Sequence, residues 1–408
     1  MKKVLFFTLL VALFSSVCLA NSDPTVSYVK AYPRTDNSGI VDIYYTLSDG
    51  DGDRCDISVV VSDNGGSSYA ITPTSLSGDL TNVSSGRRHI TWNSKEDLPG
   101  EYGTNYRVKV TADDGYVDGP GGMVFATIPS GTFQMGDSFS EGSTRERPVH
   151  TVTLSSFKMS KYEITNAQFA EFLNSAYPEQ IKEAGGIIYA VSDTSNSYPY
   201  FDTRTASSYS QIDFSGGVFS VRFKGGRDMS DDPVVYVTWY GAKAFCDYYG
   251  YVLPTEAQWE YAARGGLSGN RFPWGDTITH SQANYRSYWS GGSPSYAYDV
   301  SPTEGYHPTW NDGIFPRTSP VGSFAANGYG LHDTEGNVWE WCFDWYGSSY
   351  YSSSPSTNPT GPTTGSYRVV RGGSWGSIAY SCRVAGRGHT YPYIRHCDVG
   401  FRVCLDLN

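Results

Sequence analysis

The first quarter of the chain alternates between apolar and polar residues in short runs, and Gly, Asp, Asn and Ser separate these runs. Such alternation places every second side chain on one face of a strand, and turn residues between the runs are typical of antiparallel pairing. The clearest runs are VDIYYTLSD (41–49), CDISVVVSD (55–63), HITWN (89–93) and YRVKVTADD (106–114). The pattern predicts a β-sandwich of the immunoglobulin or fibronectin kind over residues 24–118.

Farther along, short segments with helical periodicity lie within irregular sequence that is rich in Gly and Trp. NAQFAEFLN (166–174) follows Thr165, which is suited to be its N-cap, and residues 237–249 form a second segment rich in Ala and aromatic side chains. A third segment begins after Thr255 as N-cap and ends at Gly265. Three short helices in a mostly irregular remainder predict an α+β domain.

Length and composition fit two globular domains. A chain of 408 residues is too long for one comfortable core, and GYVDGPGG (115–122) predicts a linker before a second domain at 124–405. The 45 Gly, 33 Tyr and 10 Trp, with 17% charged residues, describe a turn-rich protein with many aromatic anchors. The net charge of −11 is spread along the chain and argues against a nucleic-acid partner, because such binding depends on Lys and Arg.

Residues 1–20 have the pattern of a signal peptide, with Lys2 and Lys3 before an apolar run and small residues up to Ala20. The apolar run is too short to span a bilayer, and no later segment has eighteen uncharged apolar residues, so we expect no transmembrane segment. Cleavage near Ala20 predicts a secreted, periplasmic or cell-surface protein. Without Cys18 six cysteines remain, and in an oxidising compartment this even number permits pairing.

Eight sequence blocks in the second domain carry a family resemblance. They are IPSGTFQMGD (128–137), KYEITNAQFAEFLN (161–174), PVVYVTWYGAKAFCDYYG (233–250), LPTEAQWEYAARGG (253–266), FPWGD (272–276), NGYGLHDTEGNVWEWCFDWYG (327–347), RVVRGGSW (368–375) and DVGFRV (398–403). In this order they resemble the blocks of the formylglycine-generating enzyme, or sulfatase-modifying factor, family. The resemblance implies an irregular fold related to C-type lectin domains and often stabilised by calcium. Within it, Glu256 and Glu260, one helical turn apart, resemble framework residues rather than paired catalytic acids.

The resemblance also implies two sets of calcium positions. The first set is Asn284, Tyr285, Asp312 and Ile314, and the second set is Asn327, Gly328, Gly330 and His332. Calcium takes six to eight oxygen ligands, and backbone carbonyls can supply many of them. For the second set, a tight glycine turn is the alternative interpretation.

The family's oxidation chemistry requires two cysteines, five residues apart after GGS, that bind Cu(I). Counted from that motif without gaps, the two positions hold Ser377 and Cys382; aligned instead on RVAGR (383–387), the loop is about three residues short and Cys382 falls outside both. Since Cu(I) favours two thiolates, we expect no copper in either register. Cys382 with Cys342 also resembles a disulfide of non-catalytic relatives, and we expect that pair to form.

Residues 375–403 also resemble the variable proteins of diversity-generating retroelements. In those proteins, adenines of a template repeat are randomised, so that an AAC codon becomes any codon ending in C. The frame would be W...A..CRVA.R....P..R...VGFRV, and fifteen positions would vary: Gly376, Ser377, Ile378, Tyr380, Ser381, Gly386, Gly388, His389, Thr390, Tyr391, Tyr393, Ile394, His396, Cys397 and Asp398. All fifteen can be encoded by such codons. An ordinary solvated loop is the alternative.

Three functions follow from these patterns. The first is a secreted, non-catalytic protein that binds a protein or glycan ligand through the last segment, with contacts from Ser377, Ile378, Tyr380, His389, Tyr391, Tyr393, His396 and Asp398. The second is a sulfatase-modifying factor that oxidises a cysteine of an exported sulfatase to formylglycine. The third is a structural module for surface attachment. We favour the first, because the second requires copper chemistry from an incomplete cysteine pair.

Overall fold

A computed structural model describes residues 24–49, 55–81, 83–100, 103, 105–113, 118–119, 123–204 and 208–406. The chain divides into two compact units, Met1–Asp114 and Gly115–Asn408. The predicted signal peptide and most of the predicted linker lie outside the described residues. Among the helices in the described ranges, none combines the length and apolar character that crossing a membrane would require.

The first unit is built from antiparallel strands. They are β1 (Thr25–Pro33), β2 (Ile40–Ser48), β3 (Asp56–Ser62), β4 (Leu76–Gly78), β5 (Gly86–Asn93) and β6 (Arg107–Asp113), with a short helix α1 (Ser94–Asp97). One sheet has the order β1-β2-β5-β4, and β3 pairs with β6 in a second sheet. The four strands predicted from alternation are confirmed to within a few residues.

Every second side chain of β2 points into the core of this unit. Ile43, Tyr45 and Leu47 are buried, whereas Tyr44 between them is exposed. Trp92 of β5 packs in the same core, and its indole N–H donates to the Asp97 carboxylate at 2.8 Å. Both sheets contribute to this single apolar cluster. The closer comparison with immunoglobulin or fibronectin domains stays a prediction.

The second unit contains the three longer helices, α2 (Asn166–Ala176), α3 (Trp239–Tyr249) and α4 (Glu256–Ala263), and two short 3-10 helices, Thr144–Glu146 and Tyr350–Ser352. Its strands are short: β7 (Asp118–Gly119), β8 (Met123–Ile128), β9 (Gly131–Met135), β10 (His150–Leu154), β11 (Phe157–Ser160), β12 (Ile181–Ala184), β13 (Ile187–Ala190), β14 (Phe201–Asp202), β15 (Ile212–Ser215), β16 (Val218–Val221), β17 (Phe223–Lys224), β18 (Arg227–Asp228), β19 (Trp289–Ser290), β20 (Ser293–Pro294), β21 (Trp339–Trp345), β22 (Arg368–Arg371), β23 (Gly388–Thr390), β24 (Val399–Gly400) and β25 (Cys404–Asp406). This is an α+β domain with much irregular chain, as predicted.

Threonine caps begin the three helices. The Thr165 hydroxyl accepts a hydrogen bond from the Gln168 backbone N–H at 3.2 Å, and Thr255 accepts from Gln258 at 3.1 Å, so both predicted N-caps are confirmed. The second helix starts two residues later than predicted, because Thr238 is its cap. Each cap satisfies a backbone donor that the first helical turn leaves without a partner.

The framework interpretation of the two α4 acids is confirmed. Glu256 is buried and accepts from the Arg387 guanidinium at 2.6 and 2.7 Å. Glu260, also buried, accepts from Arg264 at 2.7 Å and from Arg371 at 2.5 Å. Each carboxylate is held by arginine partners inside the domain, so both acids belong to its buried framework.

Candidate functional site

Residues 374–398 lie between strands β22 and β24 of one four-stranded sheet and include its strand β23. The strand order in this sheet is β23-β22-β21-β24. The segment leaves β22 and returns as β23, which pairs antiparallel with β22, and it ends at β24, which runs parallel to β21. Both ends and the middle of the segment are therefore fixed on the same sheet.

Burial separates the positions predicted to vary from the frame between them. All 29 positions from Trp375 to Val403 lie in the described part of the chain. Among the predicted variable positions Gly386 alone is buried, and among the frame positions Arg395 alone is not. Side chains of the frame thus support the segment from within, while the other residues reach its surface.

Buried arginines of the frame anchor the segment. Arg383 lies 2.9 Å from the Glu146 carboxylate, and Arg387 binds Glu256 as described above. From β22, Arg371 donates to the carbonyl of Val384 at 3.0 Å. Buried charges are costly unless they are paired, and here each of these guanidinium groups has a carboxylate partner.

Five rings form a continuous row on this surface, which we call the aromatic row: Tyr346, His389, Tyr367, Tyr391 and Tyr393. The Tyr346 and His389 rings stack at 4.0 Å, and neighbouring centroids then follow at 5.0, 4.4 and 5.2 Å. Tyr391 and Tyr393 are 39% and 48% exposed. The row therefore continues from half-buried rings to two open ones.

His389 is held as a neutral ring within this row. Burial, followed by the charges of Arg145 and Arg387, lowers its pKa. Arg145 donates to Nδ1 of His389 at 3.3 Å, which requires an unprotonated nitrogen. The ring can therefore stack on Tyr346 without carrying a charge.

His396, Cys397 and Asp398 bring three further side chains together, and we call them the His-Cys-Asp cluster. Their possible ligand atoms all lie within 4.8 Å of one another. Nδ1 of His396 hydrogen-bonds Asp398, and this bond, followed by one with Cys397, raises the pKa of His396 to about 10. The Ser374 hydroxyl donates to the other Asp398 oxygen at 2.7 Å and lies 3.0 Å from the Ser377 hydroxyl.

The two copper positions do not supply a pair of thiolates. Ser377 offers a half-buried hydroxyl that is hydrogen-bonded to Ser374. Cys382 is fully buried, and burial raises the pKa of its thiol, so the sulfur is protonated. A protonated thiol and a hydroxyl are poor ligands for Cu(I), so the residues present do not fit this ion.

The predicted Cys342–Cys382 disulfide is wrong, because both residues are free thiols in the structure. Cys342 packs with Trp259 and Val369, whereas Cys382 belongs to a different cluster that contains Phe272 and Tyr285. The chain path places the two sulfurs in separate parts of the core, and the sequence resemblance gave no information about that path.

The first set of predicted calcium positions lies partly in the core. The buried Asn284 amide donates to the Arg317 carbonyl at 2.8 Å. The carbonyl of Tyr285 is 3.2 Å from a ring nitrogen of His280, and the Tyr285 hydroxyl contacts Asp299 at 2.6 Å. Asp312 is exposed and accepts from the N–H of Ile314 at 2.9 Å. Asp312 is thus the one carboxylate in this set.

The second set forms a tight turn. The Asn327 side-chain oxygen accepts from the N–H groups of Tyr329 and Leu331 at 2.9 and 3.2 Å. A Cβ on Gly328 would lie 2.2 Å from the Gly265 carbonyl oxygen, and Gly330 has a positive φ of 80°. Nδ1 of His332 contacts the Phe324 carbonyl at 2.6 Å. These contacts favour the glycine-turn interpretation over a set of free calcium ligands.

Two of the remaining predicted contact residues lie away from the aromatic row. Ile378 is half-buried, and its carbonyl accepts from Ser381 at 2.9 Å. Tyr380 lies 5.9 Å from the Tyr296 ring and packs over Arg383. Tyr346 and Tyr367 lie outside the predicted variable segment and were not among the predicted contact residues. The one signal in the sequence was that each is a tyrosine directly beside a strand, Tyr346 after β21 and Tyr367 before β22.

Comparisons with known proteins agree with the sequence blocks. Residues 120–407 match the family described as the sulfatase-modifying factor enzyme 1-like domain. The formylglycine-generating enzyme of Streptomyces coelicolor is 36% identical over 300 residues, which cover 69% of this chain and 88% of that protein. The inactive C-alpha-formylglycine-generating enzyme 2 of Bos taurus is 31% identical over 290 residues, which cover 67% and 85%. PvdO from Pseudomonas aeruginosa, a solved structure with 23% identity, aligns over 72% of this chain and 98% of its own with a TM-score of 0.50.

Proposed function

This chain belongs to the sulfatase-modifying factor family, and on that premise we propose that it is a secreted, non-catalytic member that binds ligands through residues 374–398. The family scaffold would hold this face rigid, and the side chains on it would select the ligand. A family name does not by itself imply activity, because function depends on the residues at the site.

The separation of buried and accessible positions carries this proposal. A face that tolerates changes in sequence needs its variable side chains outside the core and its frame inside, because core substitutions cost stability. The segment meets this requirement at nearly every position. Simple strand alternation could not produce it, since Cys382, Arg383, Val384 and Ala385 are buried in succession.

The aromatic row favours a contact surface within this face. Tyrosine rings give large contact areas at a small cost in side-chain entropy, and each hydroxyl adds a polar handle. In the row, Tyr367 donates to the Tyr391 hydroxyl at 2.9 Å, so the rings are preorganised. A protein or glycan surface that stacks on rings and bonds to hydroxyls is the ligand class we propose.

Oxidation of a substrate cysteine is the alternative function that the family name suggests. It would require Cu(I) to be bound at Ser377 and Cys382, and neither residue offers a thiolate. We therefore place the formylglycine activity of the relatives outside this chain's proposed function. For the first unit we propose a sandwich that acts as a spacer.

Binding of the full chain to protein and glycan arrays tests the proposal. Tyr391→Ala and Tyr393→Ala together should abolish binding of the best array ligand, because they remove the two most exposed rings of the row. Phe223→Ala is the matched control, since Phe223 is a 70% exposed ring elsewhere in the same unit. Equal binding by the row variant and the control would overturn the proposal.

The enzymatic alternative has its own test. The full chain is mixed with Cu(I) and a cysteine-containing sulfatase peptide, and oxygen consumption is followed together with the peptide mass. We expect no turnover; formylglycine production with stoichiometric copper would refute the non-catalytic function. The gene gives a separate check of diversification, because the fifteen positions should use codons ending in C beside a near-copy template.

A further inference from the structure

The His-Cys-Asp cluster is not explained by the aromatic row or by the buried frame. His396 is exposed, and Cys397 and Asp398 are half-buried, so all three can reach solvent. Among the four cysteines Cys246, Cys342, Cys382 and Cys397, which are free thiols, the first three are completely buried. Cys397 is therefore the thiol of these four that can bind an ion from solvent.

The three side chains offer nitrogen, sulfur and oxygen ligands to one point. Imidazole, thiolate and carboxylate are the three ligand types that Zn²⁺ takes in proteins, and a set of three leaves one position open. Their ligand atoms lie within 4.8 Å of one another, and a tetrahedral zinc ion with bonds of about 2.0–2.3 Å would draw them to roughly 3.3–3.6 Å. Metal binding would displace the proton of the Cys397 thiol and the one proton that His396 and Asp398 share.

Backbone and side-chain contacts hold the cluster in place. The His396 carbonyl accepts from the Tyr236 N–H at 3.0 Å, and the Asp398 carbonyl accepts from the Trp339 N–H at 2.8 Å. Tyr236 has a φ of 63°, an uncommon conformation for a residue other than glycine. The Ser374 hydroxyl orients the carboxylate at 2.7 Å, as outer-shell partners of metal ligands do.

We propose that His396, Cys397 and Asp398 form a site for a zinc-class divalent cation, with an open coordination position facing solvent. The site differs from the family's copper pair in its residues, its ligand types and the oxidation state of its ion. It does not depend on the proposed function, although a metal with an open position on this face could also contact a bound ligand.

Cobalt titration tests the site, because Co²⁺ replaces Zn²⁺ and gives a charge-transfer band when a thiolate binds it. We expect the reduced full chain to develop this band with one equivalent of Co²⁺ and to lose it when Zn²⁺ is added. Cys397→Ser should abolish the band. His396→Ala and Asp398→Asn should each weaken affinity at least about tenfold.

His389→Ala is the matched control, because His389 is a half-buried imidazole of the same segment that lies outside the cluster. It should leave the affinity for Co²⁺ unchanged. A folded chain without the band, a band that persists in Cys397→Ser, or equal weakening by His389→Ala and His396→Ala would each overturn the proposal. The titration does not measure binding of a protein or glycan, so failure of the ligand-binding function would leave this result intact.

Discussion

Arg387 is the frame residue whose replacement most directly tests how the segment is anchored. Its side chain is 1% exposed, and its guanidinium donates to both oxygens of Glu256 at 2.6 and 2.7 Å. It also donates to the Arg145 carbonyl at 2.6 Å and lies 4.1 Å from the Tyr351 ring. Arg387→Met keeps much of the side-chain volume but removes the charge and every donor.

The expected loss follows from what remains around Glu256. Burial alone would raise the pKa of this carboxyl, but the charges of Arg387 and Arg371 hold it below its ordinary value. Removing one partner of a buried ion pair costs about 3–5 kcal/mol in unfolding free energy. Arg371, with Nε 3.6 Å from Glu256, stays as a second partner. We therefore expect Arg387→Met to destabilise the second unit by about 3–4 kcal/mol.

Tryptophan fluorescence during urea unfolding of the full chain measures this loss. Of the ten tryptophans, Trp92 alone lies in the first unit, so the signal reports mainly on the second. Lys243→Met is the control, because its pair with Asp247 is an exposed contact within one helix. Such i,i+4 pairs contribute about 0.3–0.5 kcal/mol.

The double variant Glu256→Gln/Arg387→Met separates pairing from packing. If the charges act as a pair, it should be less destabilised than the sum of the single variants by about 1–3 kcal/mol. Strict additivity, or a loss from Arg387→Met no larger than that of Lys243→Met, would refute the reasoning. The frame would then be held by apolar packing alone.

Three further outcomes are expected. Gly328→Ala should lower the unfolding free energy by about 1–3 kcal/mol, since the added Cβ would lie 2.2 Å from a carbonyl oxygen. Gly376→Ala should be tolerated in the same urea assay, because the atoms nearest to its added Cβ are side-chain oxygens at 3.9 Å. The Arg34 hydrogen bond lowers the pKa of Asp42 to about 2, below the unfolded value of about 4, so its stabilisation is present above pH 4 and is lost as the pH falls through 2. Calorimetry of Asp42→Asn should show a weaker pH dependence over that range, and an unchanged dependence would contradict this. Treatment with EGTA should leave the melting temperature unchanged to within about 1 °C, because backbone N–H groups already bind the side-chain oxygens of Asn327 in the second set and Asp312 in the first; a drop of several degrees would show that calcium is bound.

Features that depend on near neighbours in the chain were predictable. Thr165 and Thr255 mark helix starts because a hydroxyl reaches a backbone N–H three residues away. Four strands of the first unit, β2, β3, β5 and β6, follow from alternation over a few residues. The framework role of Glu256 and Glu260 came from the family blocks, and the structure supplies its reason in arginine partners distant in sequence.

The candidate site depended on the path of the whole chain. Tyr346 and Tyr367 join the aromatic row from outside the variable segment, and the sequence resemblance could not show that Cys342 and Cys382 lie in different clusters.

By itself, then, the sequence determined the family, the two-part organisation, the starts of two helices and the positions of the frame residues, because each of these depends on local pattern or on ordered blocks. Only the tertiary structure decided that the frame is buried and that the His-Cys-Asp cluster meets Ser374. The physical reason is that burial and side-chain convergence depend on which distant segments pack together, and pairing across a sheet joins residues that no local pattern connects.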